Sequence, residues 1–286
     1  MAVSDLDISL SALYLHPVKS CGGIAVDESL LIETGLELDR AWMVVDAYGE
    51  MLTQREYPQL ALVQPTLRGD DVVLRAPGML AMHLALDRVE EPCRVRVWGD
   101  EVAAYDMGAL AAQWFSDFMR RPGLRLARFD PEHKRLSDPH WTGTVPAQTA
   151  FADGFALLVT SNASLADLNT RLVARGEAPV TMQRFRPNLV LDGLQPFDED
   201  HLDEISLDTD DGPVRIRLVK PCVRCSIPNV DPVSAESSSE PGLTLAGYRA
   251  DARMDGGITF GMNAVVVEGI ERVLRVGQRG RASFAV

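Results

Sequence analysis

The sequence predicts a mostly β fold of the α+β class, and three observations carry that prediction. The segments Arg94-Val95-Arg96-Val97-Trp98 and Val214-Arg215-Ile216-Arg217-Leu218 alternate polar and apolar residues, as strands with one buried and one solvated face do. Apolar runs at 8–15, 41–46, 72–75, 187–191 and 264–268 have strand length and are punctuated by Tyr48-Gly49, Gly69-Asp70 and Asp192-Gly193. Only two stretches show helical period. From Met107 to Arg120, Leu110, Ala111, Trp114, Phe115 and Phe118 share a face. From Asn162 to Arg175, Leu165, Leu168 and Leu172 do the same, with Ser161 at the N-cap position and Gly176 just past the end. Both stripes read as core packing.

The chain divides softly. Residues 125–150, with Asp130-Pro131-Glu132-His133-Lys134 and the stretch from Pro139 to Gln148, show no periodicity. They suggest an N-terminal β domain over 1–125 and a second, barrel-like domain with a helix over 126–286. No internal repeat is present, and the polar, turn-rich stretch 234–241 reads as a flexible surface loop. At 286 residues, with 46% hydrophobic and 24% charged residues, the composition is that of a globular protein. A net charge of −13 argues against nucleic acid as a ligand, since phosphate backbones need a basic face. The N-terminus lacks the basic and apolar regions of a targeting peptide, and the apolar runs are too short to span a membrane. Four cysteines, two of them isolated, do not form a secreted disulfide framework. The expectation is a reduced, cytoplasmic protein.

The pair Cys222 and Cys225, in Lys220-Pro-Cys-Val-Arg-Cys-Ser-Ile-Pro-Asn-Val-Asp-Pro232, admits several chemistries. A structural zinc site needs a second ligand pair, and the five histidines are scattered. A thioredoxin-like pair needs a helix N-terminus, which Pro228 and Pro232 disfavour. Buried apolar filler is the remaining structural alternative. Lys220 and Arg224 flank the pair and favour thiolate over thiol, so a loop thiolate for a soft metal fits best. Basic residues recur elsewhere in compact apolar settings. Lys19 and Ser20 lie in His16-Pro-Val-Lys-Ser-Cys-Gly-Gly23, whose glycines free backbone amides for an anion. Arg40, Arg55, Arg184 and Arg186 lie near strand ends, and Ser161 begins a helix. In an acidic chain this pattern suggests a recessed basic pocket.

Taken together, "LYLHPVKSCGG", "LDRAWMVVD", "TSNASL", "RFRPNLVLDG", "KPCVRCSIPNVDP" and "VLRVGQRG" resemble the MOSC-domain proteins with an N-terminal MOSC β-barrel domain, relatives of the mitochondrial amidoxime-reducing component and its bacterial counterparts. The resemblance runs in order along nearly the whole chain and implies a MOSC-type β-barrel with a few helices. It also implies a molybdenum–pterin cofactor, in the molybdopterin form. By position Cys225 would be the metal ligand and catalytic residue, and Lys19, Ser20, Arg40, Arg186 and Asn188, with the Ser161 loop nearby, would contact the cofactor. The implied reaction is two-electron reduction of small N-oxygenated substrates such as N-hydroxylated bases and amidoximes. Where animal relatives carry a threonine pair after the loop cysteine, this chain has Pro228 and Asn229 after Ser226 and Ile227. No ferredoxin-like cysteine set follows, so electrons are expected from a separate flavin, haem or iron–sulfur protein. A second reading follows from the C-terminal part of molybdenum cofactor sulfurases: a cofactor-binding or sulfur-carrier protein without reductase activity. A cofactor-free β-barrel binding module is a third.

Overall fold

Seven strands close a mixed barrel in the computed structural model, which describes residues 6–285. They are β1 (Leu6–Leu15), β2 (Leu157–Ser161), β3 (Leu189–Asp192), β4 (Leu202–Thr209), β5 (Gly212–Val223), β6 (Gly257–Glu268) and β7 (Arg279–Phe284). The order is β2-β3-β1-β7-β4-β5-β6, and β6 pairs back onto β2. β2 and β3 run parallel, with Val159 opposite Leu189, and the other barrel pairs are antiparallel. Closure leaves no open edge in the ring.

The alternation in 214–218 has its cause here. Val214, Ile216 and Leu218 point into a core shared with Leu10, Leu13, Val159, Leu189 and Ile205. Arg215 faces outward and holds Glu204 of the neighbouring strand at 2.6 Å. Each fully buried aliphatic side chain contributes roughly 1.5–3 kcal/mol, while such a surface pair contributes about 1 kcal/mol or less. The inward residues therefore set the register.

The second unit is built on a four-stranded antiparallel sheet of Trp42–Val45, Arg125–Phe129, Asp100–Asp106 and Pro92–Val97. All four residues of Trp42–Val45 are buried. Trp42 and Val44 pack with Phe115 and Leu126, whereas Met43 and Val45 pack with Val97, Val102 and Phe129. Both faces are covered, so the strand reads as a continuous apolar run. Helix α1 (Gly108–Met119) buries Ala111, Trp114 and Phe115 as its period predicts, but Leu110 stays in water at 78% exposure. Helix α2 (Asn162–Ala174) lays Leu168 and Leu172 against Phe185, Val190 and Phe260.

The strand pairing crosses the division drawn from the sequence. β1 lies between β3 and β7, and Glu28–Ile32 pairs with Val273–Arg275. The opening of the chain is thus part of the barrel. Two expectations are corrected. β6 begins seven residues before the apolar run at 264, because its first residues are paired too, Ile258 with Ala250 and Thr259 with Val223, and Gly261, at φ +77°, stands where a Cβ would meet Val159 O at 2.8 Å. The 234–241 stretch is tied down: Asp231 Oδ1 accepts from Val233 N and Ser234 N, and Ser238 N donates to Asn229 O. Among the described residues, no helix is long and apolar enough to cross a membrane.

Candidate functional site

A polar cleft opens where the barrel meets the four-stranded unit, and turns from both line it. The turn after β1 supplies Lys19 and Ser20, and the approach to Trp42 supplies Arg40. The turn before β3 supplies Arg186 and Asn188, and the end of β5 supplies Cys222, Arg224 and Cys225. The two units are stitched together here, since Lys19 N donates to Trp42 O and Trp42 N donates to Pro17 O. Backbone strain concentrates in the same place. Ser20, Arg40, Trp98 and Arg186 all have positive φ, a conformation that costs a non-glycine residue on the order of 1 kcal/mol or more.

The cations are deliberately placed. Lys19 is 6% exposed, and its Nζ donates to Phe151 O at 2.8 Å and Asp153 Oδ1 at 2.5 Å. Burial lowers the Lys19 pKa, and Asp153 offsets part of that effect. The Asp153 carboxyl is 57% exposed, and what desolvation it does suffer opposes its charge, but Lys19 and Arg55, with the Trp98 indole N–H at 3.1 Å, outweigh it and hold the carboxyl well below its usual range. Arg40 Nη1 pairs with Asp39 Oδ2 and donates to Asn188 Oδ1 at 3.0 Å, while its Nη2 donates to Arg186 O at 3.0 Å. Arg186 Nη1 donates to Cys21 O at 2.5 Å. Burial first, then Arg40, brings the Arg186 pKa down to about 10, so it remains a cation at neutral pH. Beneath them, His16 is held neutral by burial, Arg40 and Arg186, although Asp39 pulls the other way. The Cys21 thiol, buried, is pushed up to about 12 and stays protonated.

Asn188 is a clamp rather than an open contact. Its Oδ1 also accepts from Leu158 N at 3.1 Å, and its Nδ2 donates to Tyr14 O at 3.3 Å, so it fixes Arg40 against the barrel. Ser161 is placed elsewhere. It is fully buried, its Oγ accepts from Ser164 N at 3.1 Å and meets Glu199 Oε2 at 3.0 Å, and it does not line the cleft. Its hydroxyl caps α2, and the helix start that the sequence suggested for an anion lies away from the cleft lining.

The two cysteines differ. Cys222 belongs to β5, not to a following loop. Bulges at Leu218/Lys220 and Pro221/Val223 let the strand continue past Pro221. Arg224 Nη1 donates to Cys222 Sγ at 3.0 Å and Nη2 to Phe185 O at 2.9 Å. Cys225 follows the strand, half-buried, and makes no hydrogen bond through sulfur among the described residues. All four cysteines are free.

Sequence reasoning missed Asp39, Asp153, Arg135 and Trp98. Asp39 adjoins Arg40 and could have been paired with it. Arg135 donates to Ala150 O and Ala152 O and shapes the loop carrying Asp153, yet both lie in aperiodic stretches that give no signal.

Buried cations with strained, glycine-flanked backbone suit a small anion such as phosphate. The free thiols suit a soft metal. No group of three His, Cys, Asp or Glu side chains converges among the described residues, so a metal held here has to bring most of its own donors. The residues present therefore fit a metal complex that brings its own ligands and carries a phosphate.

Two β units joined around a basic, thiol-bearing cleft define the class. Residues 8–122 match the MOSC N-terminal beta barrel domain and residues 146–280 match the MOSC domain, so the chain belongs to the MOSC-domain family. It is 36% identical over 250 residues to mitochondrial amidoxime reducing component 2 of Bos taurus, covering 84% of this chain and 72% of that protein. It is 35% identical over 251 residues to mitochondrial amidoxime-reducing component 1 of Homo sapiens, with the same shares. It is also 30% identical over 289 residues to molybdenum cofactor sulfurase of Danio rerio, spanning 92% of this chain and 34% of that protein.

Proposed function

We propose that the chain holds a molybdenum–pterin cofactor, in the molybdopterin form, in this cleft and reduces small N-oxygenated compounds with electrons from a separate redox protein. The observation that carries the reading is the convergence of Lys19, Arg40 and Arg186 with a free thiol, Cys225, in a chain of net charge −13. Similarity to two amidoxime-reducing components supports the reaction class.

When bound, the cofactor supplies the two-electron chemistry. Lys19, Arg186 and the Ser20 turn hold its phosphate, Arg40 is held in line by Asp39 and Asn188, and Cys225 gives the protein thiolate. Arg224 occupies Cys222 and leaves Cys225 as the sulfur without a protein donor. Molybdenum X-ray absorption tests the assignment. A protein-thiolate sulfur is expected in wild type and in Cys222→Ser and absent in Cys225→Ser, whose fold should survive. The reverse pattern sinks it. An electron donor with a basic patch should give a reduction rate that falls as salt rises, because net charge governs the encounter.

A second reading is favoured by one observation, the similarity to molybdenum cofactor sulfurase along 92% of this chain. On it the protein passes cofactor or sulfur on. Transfer of pterin to an apo-acceptor without reductase turnover would select it.

A further inference from the structure

A second cavity adjoins the cleft, and Arg186 and Ile227 line both. It holds about 490 Å³, within the roughly 300–1,000 Å³ typical of small-molecule sites. Its walls come from different parts of the chain. The 3-10 turn Pro58–Leu62 gives Ala61 and Leu62, the segment after strand Asp71–Arg75 gives Ala76, and the loop after β5 gives Ile227 and Val230. Ala61 and Val230 are 2% and 3% exposed, and Leu62 and Ile227 are half-buried. Val233, on the same lining, leaves an apolar side chain 84% exposed.

The lining also carries polar side chains, Gln64, Arg75, Gln183, Arg184 and Arg186 among them, and Gln54 stands apart from these. Gln54 is 4% exposed, lines the cavity, and its Oε1 is buried without a hydrogen-bond partner. Buried acceptors are almost always paired, and one left open on a cavity wall points to a donor that arrives with a ligand. Arg186, at the junction, would meet a polar or anionic part of the same ligand.

We propose that this cavity seats a planar heteroaromatic group bearing an N–H donor, its ring against the Ala61, Leu62, Ile227 and Val230 walls and its N–H on Gln54 Oε1. Two sources share that chemistry: the cofactor's own ring system reaching past Arg186, and the body of an N-hydroxylated base. Only the ligand's identity rests on the function proposed above.

The test uses Gln54→Leu and Ala76→Trp, which alter different walls. Three quantities are read on each purified holoenzyme: pterin per protein after oxidative extraction, the Kd of 6-hydroxylaminopurine by ligand-observed NMR, and the melting temperature. If the cofactor ring occupies the cavity, pterin affinity falls about tenfold or more in both variants, seen as lost occupancy on dilution. If the substrate body occupies it, pterin content holds and the Kd of 6-hydroxylaminopurine rises about tenfold in both. Gln54→Leu removes an unpaired acceptor and should keep or raise the melting temperature, so a binding loss there is not a folding loss. No change, or a change in one variant alone, overturns the proposal. Failure of the functional reading is distinguishable, because it appears as absence of pterin and turnover in wild type. The purine titration then decides the cavity by itself, and no saturable binding to wild type overturns it.

Discussion

Replacing Lys19 by alanine separates anion binding from folding. The ammonium is 8% exposed at the side chain and donates to Phe151 O and to Asp153. Asp153 is 57% exposed and keeps the Trp98 indole at 3.1 Å and Arg55 at 3.4 Å, so losing Lys19 leaves it both hydrated and partnered. The cost should therefore be on the order of 1–2 kcal/mol, below the 3–5 kcal/mol of breaking a fully buried pair. Part of it is offset because a desolvated cation is no longer carried. At about 2–4 °C per kcal/mol for a chain of this class, the melting temperature should drop by only a few degrees. The bound anion loses a charge-assisted partner worth on the order of 2 kcal/mol, roughly thirtyfold in affinity. The assay is pterin content per folded protein beside a thermal melt. Full pterin occupancy in Lys19→Ala would refute the role in anion binding. A melting temperature lowered by tens of degrees would instead make Lys19 a structural strut.

Three further outcomes follow from the geometry. Burial, with Arg40 and Arg186, holds the folded-state pKa of His16 well below its ordinary 6.5, so below that pH the unfolded chain takes up a proton that the folded one refuses. Stability should fall as pH drops below about 6.5, by up to ~1.4 kcal/mol per unit, and denaturant midpoints should show a shallower fall in His16→Gln; equal slopes would remove His16 as the cause. A Cβ on Gly23 would lie 2.7 Å from the buried His16 ring, whereas one on Gly22 would meet only the movable side chain of Gln64, so Gly23→Ala should cost about 1–3 kcal/mol and Gly22→Ala much less, as urea titrations can show. Burial raises the pKa of Glu199, and a carboxyl whose folded pKa lies above its unfolded value costs stability as pH rises past that unfolded value. Glu199→Gln should melt higher than wild type at pH 8, with the gap closing toward pH 4.

The strands at 214–218 and 94–97 were legible because alternation is a local consequence of one buried face, and α2 was legible because its cap, stripe and terminal glycine lie within one segment. Lys19, Arg40, Arg186 and Cys225 were legible as chemistry, through short basic and thiol-bearing motifs that resemble a known family. What joined them was not. Lys19 and Arg186 stand 167 positions apart in a sequence that carries no record of which turns meet. Barrel closure decided that, by bringing the turn after β1 beside the turn before β3. The same closure used up Ser161 as a helix cap and extended β5 through Pro221 to Cys222 by bulges that only a paired neighbour makes tolerable. Asp153 and Gln54 acquired their roles wholly from packing. Asp153 becomes the partner of Lys19 only when folding brings its loop beside the turn after β1, and the Gln54 amide oxygen becomes an unpaired acceptor only when surrounding residues have buried it. Local pattern fixes what a residue can do; burial and the company of distant segments decide whether it does it.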